Sequence, residues 1–197
     1  REVPYSTVSA IDFEGARVAG PGTREMQPAP SPESRAPSAS TMPIWLNEWA
    51  ATDLNARAGD EVTLEYFLWS DEEGLQTRSA TFVLRGVLPM RGIGGDQTLT
   101  PDYPGISDAP DITSWDPPFP VDLSKVGRKD EDYWDRYRAA PKAIGTLADG
   151  QRLWGSRFGN VSSLRIAATE ADFAPRVDPF AGGFAVQSLV ALWLFTK

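Results

Sequence analysis

The chain has 197 residues, enough for one domain or two small ones with a buried core, and its hydrophobic content of 41% is that of a soluble globular protein. A net charge of -8, from 19 Lys+Arg against 27 Asp+Glu, argues against nucleic acid, which needs a basic face, and disfavours attachment to an anionic membrane surface. With no Cys and no His, thiol and imidazole chemistry, disulfides and the usual zinc sites are excluded, and no lysine follows a serine at the three-residue spacing of Ser-Lys catalysis. What remains open to such a chain is a pair of carboxylates, or carboxylates around a hard cation.

In chain order, VPYSTVSAIDF (Val3 to Phe13) is rich in β-branched and aromatic residues and predicts a strand. Gly20 to Pro43 changes character: Pro, Ser and Ala dominate, large apolar residues almost vanish, and an exposed loop is expected. Ile44 to Leu54 has helical spacing, with Ile44, Leu46, Trp49, Ala50 and Leu54 on one broad apolar face. Gly59-Asp60 supplies the stop, Glu61 to Trp69 alternates as a strand, Ser70 to Gly74 makes a polar hairpin turn, and Leu75 to Met90 returns as a long strand.

Arg91 to Leu123 is dense in Gly, Pro and Asp, so little regular structure is expected beyond a short turn near Asp108 to Trp115. DEDYWDRYR (Asp130 to Arg138) predicts a helix, PKAIGTL (Pro141 to Leu147) a short strand, ADGQRLWGSRFG a short helix at its start, and VSSLRIAAT (Val161 to Thr169) another strand. The apolar tail Leu189 to Phe195 fits strand or helix, and is far shorter than the roughly 20 residues that span a bilayer. The order of elements is that of an α+β protein without tandem repeats. The chain starts at Arg1 without a signal-peptide pattern, and is expected to be a piece of a longer or processed protein.

Several clusters invite a chemical reading. Asp130, Glu131, Asp132 and Asp135 around Trp134 resemble a sugar-cleaving cleft, but acids in a first helical turn also complement the helix dipole, and a glycosidase needs a second carboxylate across the cleft. The expectation is a structural helix whose acids are solvated, with Tyr133 stacked on Tyr137, Trp134 beside Arg138, and Trp134 buried. Asp96, Asp102, Asp108, Asp111 and Asp116 could gather a calcium ion, yet they lack the alternating spacing that wraps one, and turn or cap roles are expected. GIGG (Gly92 to Gly95) is not followed by Lys-Ser/Thr and predicts a strand-exit loop rather than a phosphate cradle. Asn160-Val-Ser162 matches a glycosylation triplet of little specificity, and Trp45, Trp49, Trp69 and Trp154 are expected in the core.

Three segments carry a resemblance: LNEWAATDLNARAGDEVTL, LTPDYPGISDAPDITSWDPPFPVDL and DEDYWDRYRAAPKAIGTLADGQRLWGSRFGNVSSLRI. Together they resemble the large extracytoplasmic domain of bacterial FtsX-like ABC transporter permeases, related to the MacB and Lol transporters, over most of the chain from PYSTVSAID to about Ile166. The helix-Gly-Asp-strand unit is moderately specific; the WDPPFP and DYWDRYR…PKA…LWGSRFG set is more so. The resemblance implies one domain over residues 1–197, with residues 20–43 an exposed loop that matches no family element. It implies an α+β fold with a mixed helix/strand subdomain and a second, mostly-β subdomain, and a place in the periplasm or its equivalent as part of an inner-membrane protein. It implies no catalytic residues, cofactor or metal. The implied partners are a cytoplasmic ABC ATPase acting through the membrane part of the permease, a second permease copy, and a lipoprotein, peptide or other exported substrate. The motif residues Trp115, Asp116, Pro117, Pro118 and Phe119 are the expected partner-binding segment. Two rival readings stay open: a carbohydrate-binding module or carboxylate-based glycoside hydrolase, and a scaffold that binds a protein through the Gly20 to Pro43 loop.

Overall fold

A computed structural model describes residues 1–12, 42–117, 119–157, 159–166, 184–187 and 191–196. Its chain order is β1 (Glu2–Ile11), β2 (Met42–Asn47), α1 (Glu48–Leu54), β3 (Glu61–Ser70), β4 (Gly74–Leu88), α2 (Arg128–Tyr137), β5 (Ala143–Thr146), α3 (Leu147–Trp154), β6 (Ser163–Ile166), β7 (Phe184–Gln187) and β8 (Ala191–Thr196), with four short 3-10 turns between β4 and α2. The fold is α+β.

All eight described strands belong to one sheet, and six of them close on themselves. From β1 the ring runs through β8, β3, β4, β2 and β5 and back to β1. β1–β5 and β2–β4 are parallel; the other four contacts of the ring are antiparallel. Closure removes the free edges that an open sheet would present. β7 adds to β1, with Ile11 paired to Gln187 among the described residues, and β6 pairs with β7 outside the ring.

Strand parity explains the core. Val62, Leu64 and Tyr66 of β3, Ala80, Phe82 and Leu84 of β4, and Ile44 and Leu46 of β2 alternate inward and join Val3, Val8 and Ala10 of β1 in one buried cluster. Ala50, Ala51 and Leu54 of α1, and Trp154 at the end of α3, complete it. A second small cluster joins Ile106, Ile112 and Trp134, with Trp115 and Phe119 packed against it.

The predicted helix over Ile44 to Leu54 divides. Its first residues form β2, and the helix begins only after Asn47, whose side-chain carbonyl accepts from the Ala50 N–H at 2.8 Å. Ile44 and Leu46 are spaced equally well for a strand face, and the capping Asn47 marks the boundary. Met42 and Pro43, assigned to the loop by sequence, also belong to β2; the rest of that loop lies outside the described residues. α1 ends at Asn55 in the left-handed conformation (φ 53°). The Gly-Asp turn then plugs into β4: Gly59 N–H donates to Leu84 O at 2.7 Å, and Leu84 N–H to Asp60 O at 2.9 Å. Gly59 has φ +97°, which explains the glycine.

The tail is a strand from Ala191 to Thr196, and VSSLRIAAT is a strand over Ser163–Ile166, its last three residues lying outside the described set. GIGG is a 3-10 turn packed so closely that a Cβ on Gly94 or Gly95 would collide with the carbonyls of Pro89 and Met90. Among the described residues, no helix is long and apolar enough to cross a membrane.

Candidate functional site

An open groove of about 360 Å³ lies between the β3–β4 hairpin and the long segment after β4. That volume is at the lower end of ligand sites. One wall is the hairpin: Phe67, Leu68 and Trp69 of β3, and Leu75 of β4, which pairs directly with Trp69. The strict alternation of β3 lapses at Phe67 and Leu68, both half-buried, where the strand runs beyond the core. The opposite wall is Tyr103, Ile106, Ser107 and Phe119; the Phe67 and Phe119 rings lie 5.7 Å apart.

Thr7, Thr100 and Ala139 also line the groove, and the two threonine hydroxyls both donate to the Ala139 carbonyl, at 2.9 and 2.5 Å. The end wall is Trp154, Gly155, Ser156 and Arg157 from LWGSRFG. Among the described lining residues Asp71 is the one carboxylate, and Arg157 holds it at 3.1 Å.

A second polar centre lies apart from this groove, behind α2. Lys142 is buried, its ammonium 4.5 Å from the Trp49 ring centroid and 4.9 Å from that of Tyr133, with Asp130 Oδ1 at 3.8 Å. Burial pulls the Lys142 ammonium down to about 8, against the opposing attraction of Asp130 and Asp53. Burial likewise pushes the Tyr133 phenol up. Tyr133 Oη accepts from Asn47 Nδ2 at 2.9 Å and donates to Ala140 O at 3.0 Å. Asn47 Nδ2 also reaches Gly94 O and Pro141 O, so one amide ties β2, α2, the GIGG turn and the lead-in to β5. This centre is enclosed by the chain and joins elements; it presents no open face at the ammonium.

The predicted sites sort accordingly. Among the described residues of Trp115 to Phe119, Phe119 alone lines the groove. Trp115 is half-buried, edge-on to Trp134 at 5.0 Å; Asp116 is exposed, with its N–H on Gly105 O; Pro117 is half-buried and Pro118 lies outside the described residues. Trp134 is buried as expected, with its indole N–H on Ala109 O and Arg138 over its ring at 5.0 Å, and Tyr133 meets Tyr137 at 5.2 Å.

The acids of that helix are not all solvated. Asp132 and Asp135 are exposed, but Asp130 is buried, its Oδ2 accepting from the Gly127 N–H at 3.0 Å, because the helix entry packs against Lys142. Asp96 and Asp111 cap 3-10 turns and Asp108 accepts from the Gly105 N–H. Hydrogen bonds from Ser114 and Thr113 hold the Asp111 carboxyl below its usual range. Among the described residues, no group of three or more acids is placed to hold a metal ion.

Trp69 was expected in the core and is 61% exposed, while Trp154 is buried and Trp45 and Trp49 are half-buried. Parity held the correct signal: with Val62, Leu64 and Tyr66 inward, Trp69 falls on the face of Glu61 and Glu65. Lys142 and Asn47 were missed as a paired centre, because nothing in the chain near either residue announces the other. Comparison of the chain with models of protein families, with curated proteins and with solved structures finds no match in any of the three.

Proposed function

We propose that this chain is a non-catalytic extracytoplasmic domain of a bacterial FtsX-like, MacB-like ABC transporter permease, in which the groove holds a substrate or partner. One observation carries the reading: the two motif-bearing segments specific to the resemblance meet at one place. Tyr103, Ile106, Ser107 and Phe119 come from the first, and Ala139 and Trp154 to Arg157 from the second. Packing alone needs no such convergence on an open surface; a shared binding face does.

The walls suit binding rather than bond cleavage, since the one carboxylate among the described lining residues is paired with an arginine. On this reading a cytoplasmic ATPase drives movement of two such domains relative to each other, and the domain passes a lipoprotein, peptide or other exported substrate. The second, mostly-β subdomain of MacB-like domains belongs to the same proposal.

The test is the parent protein. Membrane-spanning helices on either side of this segment, and co-purification of a cytoplasmic ATPase, are the expected results; a parent with neither overturns the reading. The exposed Trp69, in a groove that Tyr103 also lines, favours one rival, a sugar-stacking site. Specific glycans retained on an array by the intact chain and lost with Trp69→Ala would replace the permease reading with that one.

A further inference from the structure

We propose that the occupant of the groove is an extended peptide segment that pairs apolar side chains with lysine or arginine. The inference deepens the binding role given above and rests on it. Large apolar side chains seldom gather on a free surface. Trp69, Leu75 and Tyr103, exposed by 61%, 39% and 40%, are three of the six most exposed large hydrophobics among the described residues, and all three line this groove. An occupant must therefore cover apolar area, and the groove's volume of about 360 Å³ admits side chains rather than a folded body.

The rim sets its charge. Asp71, Glu72 and Glu73 sit at the hairpin tip, all exposed, directly beyond the Trp69–Leu75 pair. On the other side Asp102 neighbours Tyr103, Asp108 neighbours Ser107, and Asp116 is held by its backbone at Gly105. The described cations nearby are Arg157, which Asp71 engages at 3.1 Å, Arg138, which neighbours Ala139 and is turned onto Pro110 O at 3.2 Å, and Arg78, turned onto Gln76 Oε1 at 2.8 Å. Six carboxylates against three guanidiniums give a negative field around an apolar slot. That field repels anionic lipid and phosphate, confers nothing on a neutral sugar, and attracts Lys and Arg.

The test uses the 197-residue chain and fluorescein-labelled peptides read by fluorescence anisotropy. An alternating Leu/Lys peptide is expected to bind at least about tenfold more tightly than alternating Leu/Glu or Ser/Lys peptides of equal length. Its affinity is expected to fall as sodium chloride is raised through the range in which the Debye length drops below about 8 Å. Trp69→Ala with Leu75→Ser should abolish the preference over Ser/Lys, and Glu72→Gln with Glu73→Gln should flatten the salt dependence; both variants should keep the parent's urea midpoint.

Equal binding of Leu/Glu, equal binding of Ser/Lys, no binding of any peptide, or capture by phosphatidylglycerol vesicles without peptide selectivity would each overturn the inference. The outcome separates from the permease reading. Peptide selectivity in a chain whose parent lacks membrane helices keeps the site and removes the permease; flanking helices without selectivity do the reverse.

Discussion

Replacing Lys142 with methionine removes the ammonium while keeping most of the side chain's volume, and leaves Asp130 buried without its counter-charge. Removing one partner of a buried pair destabilises by about 3–5 kcal/mol, because the other charge stays desolvated. The pH dependence is more diagnostic. In the folded chain burial lowers the ammonium from 10.5 to about 8. Between those values the unfolded chain binds more protons than the folded one, so wild-type stability rises with pH from about 8 toward 10.5. A shift of that size corresponds to a swing on the order of 3 kcal/mol.

The rise is cut short from about pH 10, where the unfolded Tyr133 ionises first while the buried phenol, pushed up, holds its proton. Urea unfolding at a series of pH values, with linear extrapolation, reads both limbs. Wild type should be more stable at pH 9.5 than at pH 7.5, and Lys142→Met should lose that rising limb and be less stable at pH 7. Lys142→Met with Asp130→Asn should recover most of the loss at pH 7, since both charges are gone and the amide oxygen can still accept from Gly127. A single mutant that keeps the rise, or that loses less than about 1 kcal/mol at pH 7, refutes the buried-pair account.

Asn47→Ala removes a helix cap and takes the amide donor away from two buried carbonyls and from the Tyr133 hydroxyl oxygen, which still donates to Ala140 O; a loss of about 2–4 kcal/mol is expected by the same unfolding assay. Asn47→Asp keeps the cap acceptor and should still destabilise, because it lacks the donors and buries a charge. Trp134→Ala should cost about 3–5 kcal/mol and Trp69→Ala less than about 0.5, a contrast that thermal melts of the two variants settle. Arg138 has φ 50° and ψ -132°, a region that favours glycine. Arg138→Gly should therefore be more stable than Arg138→Ala by about 1–2 kcal/mol, although both lose the contact with the Trp134 ring; equal stabilities would show that the backbone there is unstrained.

What could be read in advance was what one residue's neighbours along the chain determine. The alternation of β3 and β4, the polar turn between them, the Gly-Asp stop and the helix at Asp130 are local patterns, and the structure has them. The division at Asn47 was not legible: two buried residues at even spacing fit a strand as well as a helix, and only the pairing of β2 with β4 and β5 decides between them. Ring closure had no local signature: β1 meets β5 across more than a hundred residues and meets β8 near the other terminus. The same separation hid the groove. Its walls come from residues near positions 7, 67–75, 100–107, 119, 139 and 154–157, each unremarkable in its own segment. Asp130 shows the converse: its position predicts a solvated first-turn acid, and it is buried because Lys142, twelve residues on, lies beneath the helix. A charged side chain's solvation is a property of what packs over it, so the chemistry of this chain resides in its long-range contacts, and the groove is where those contacts leave apolar surface exposed.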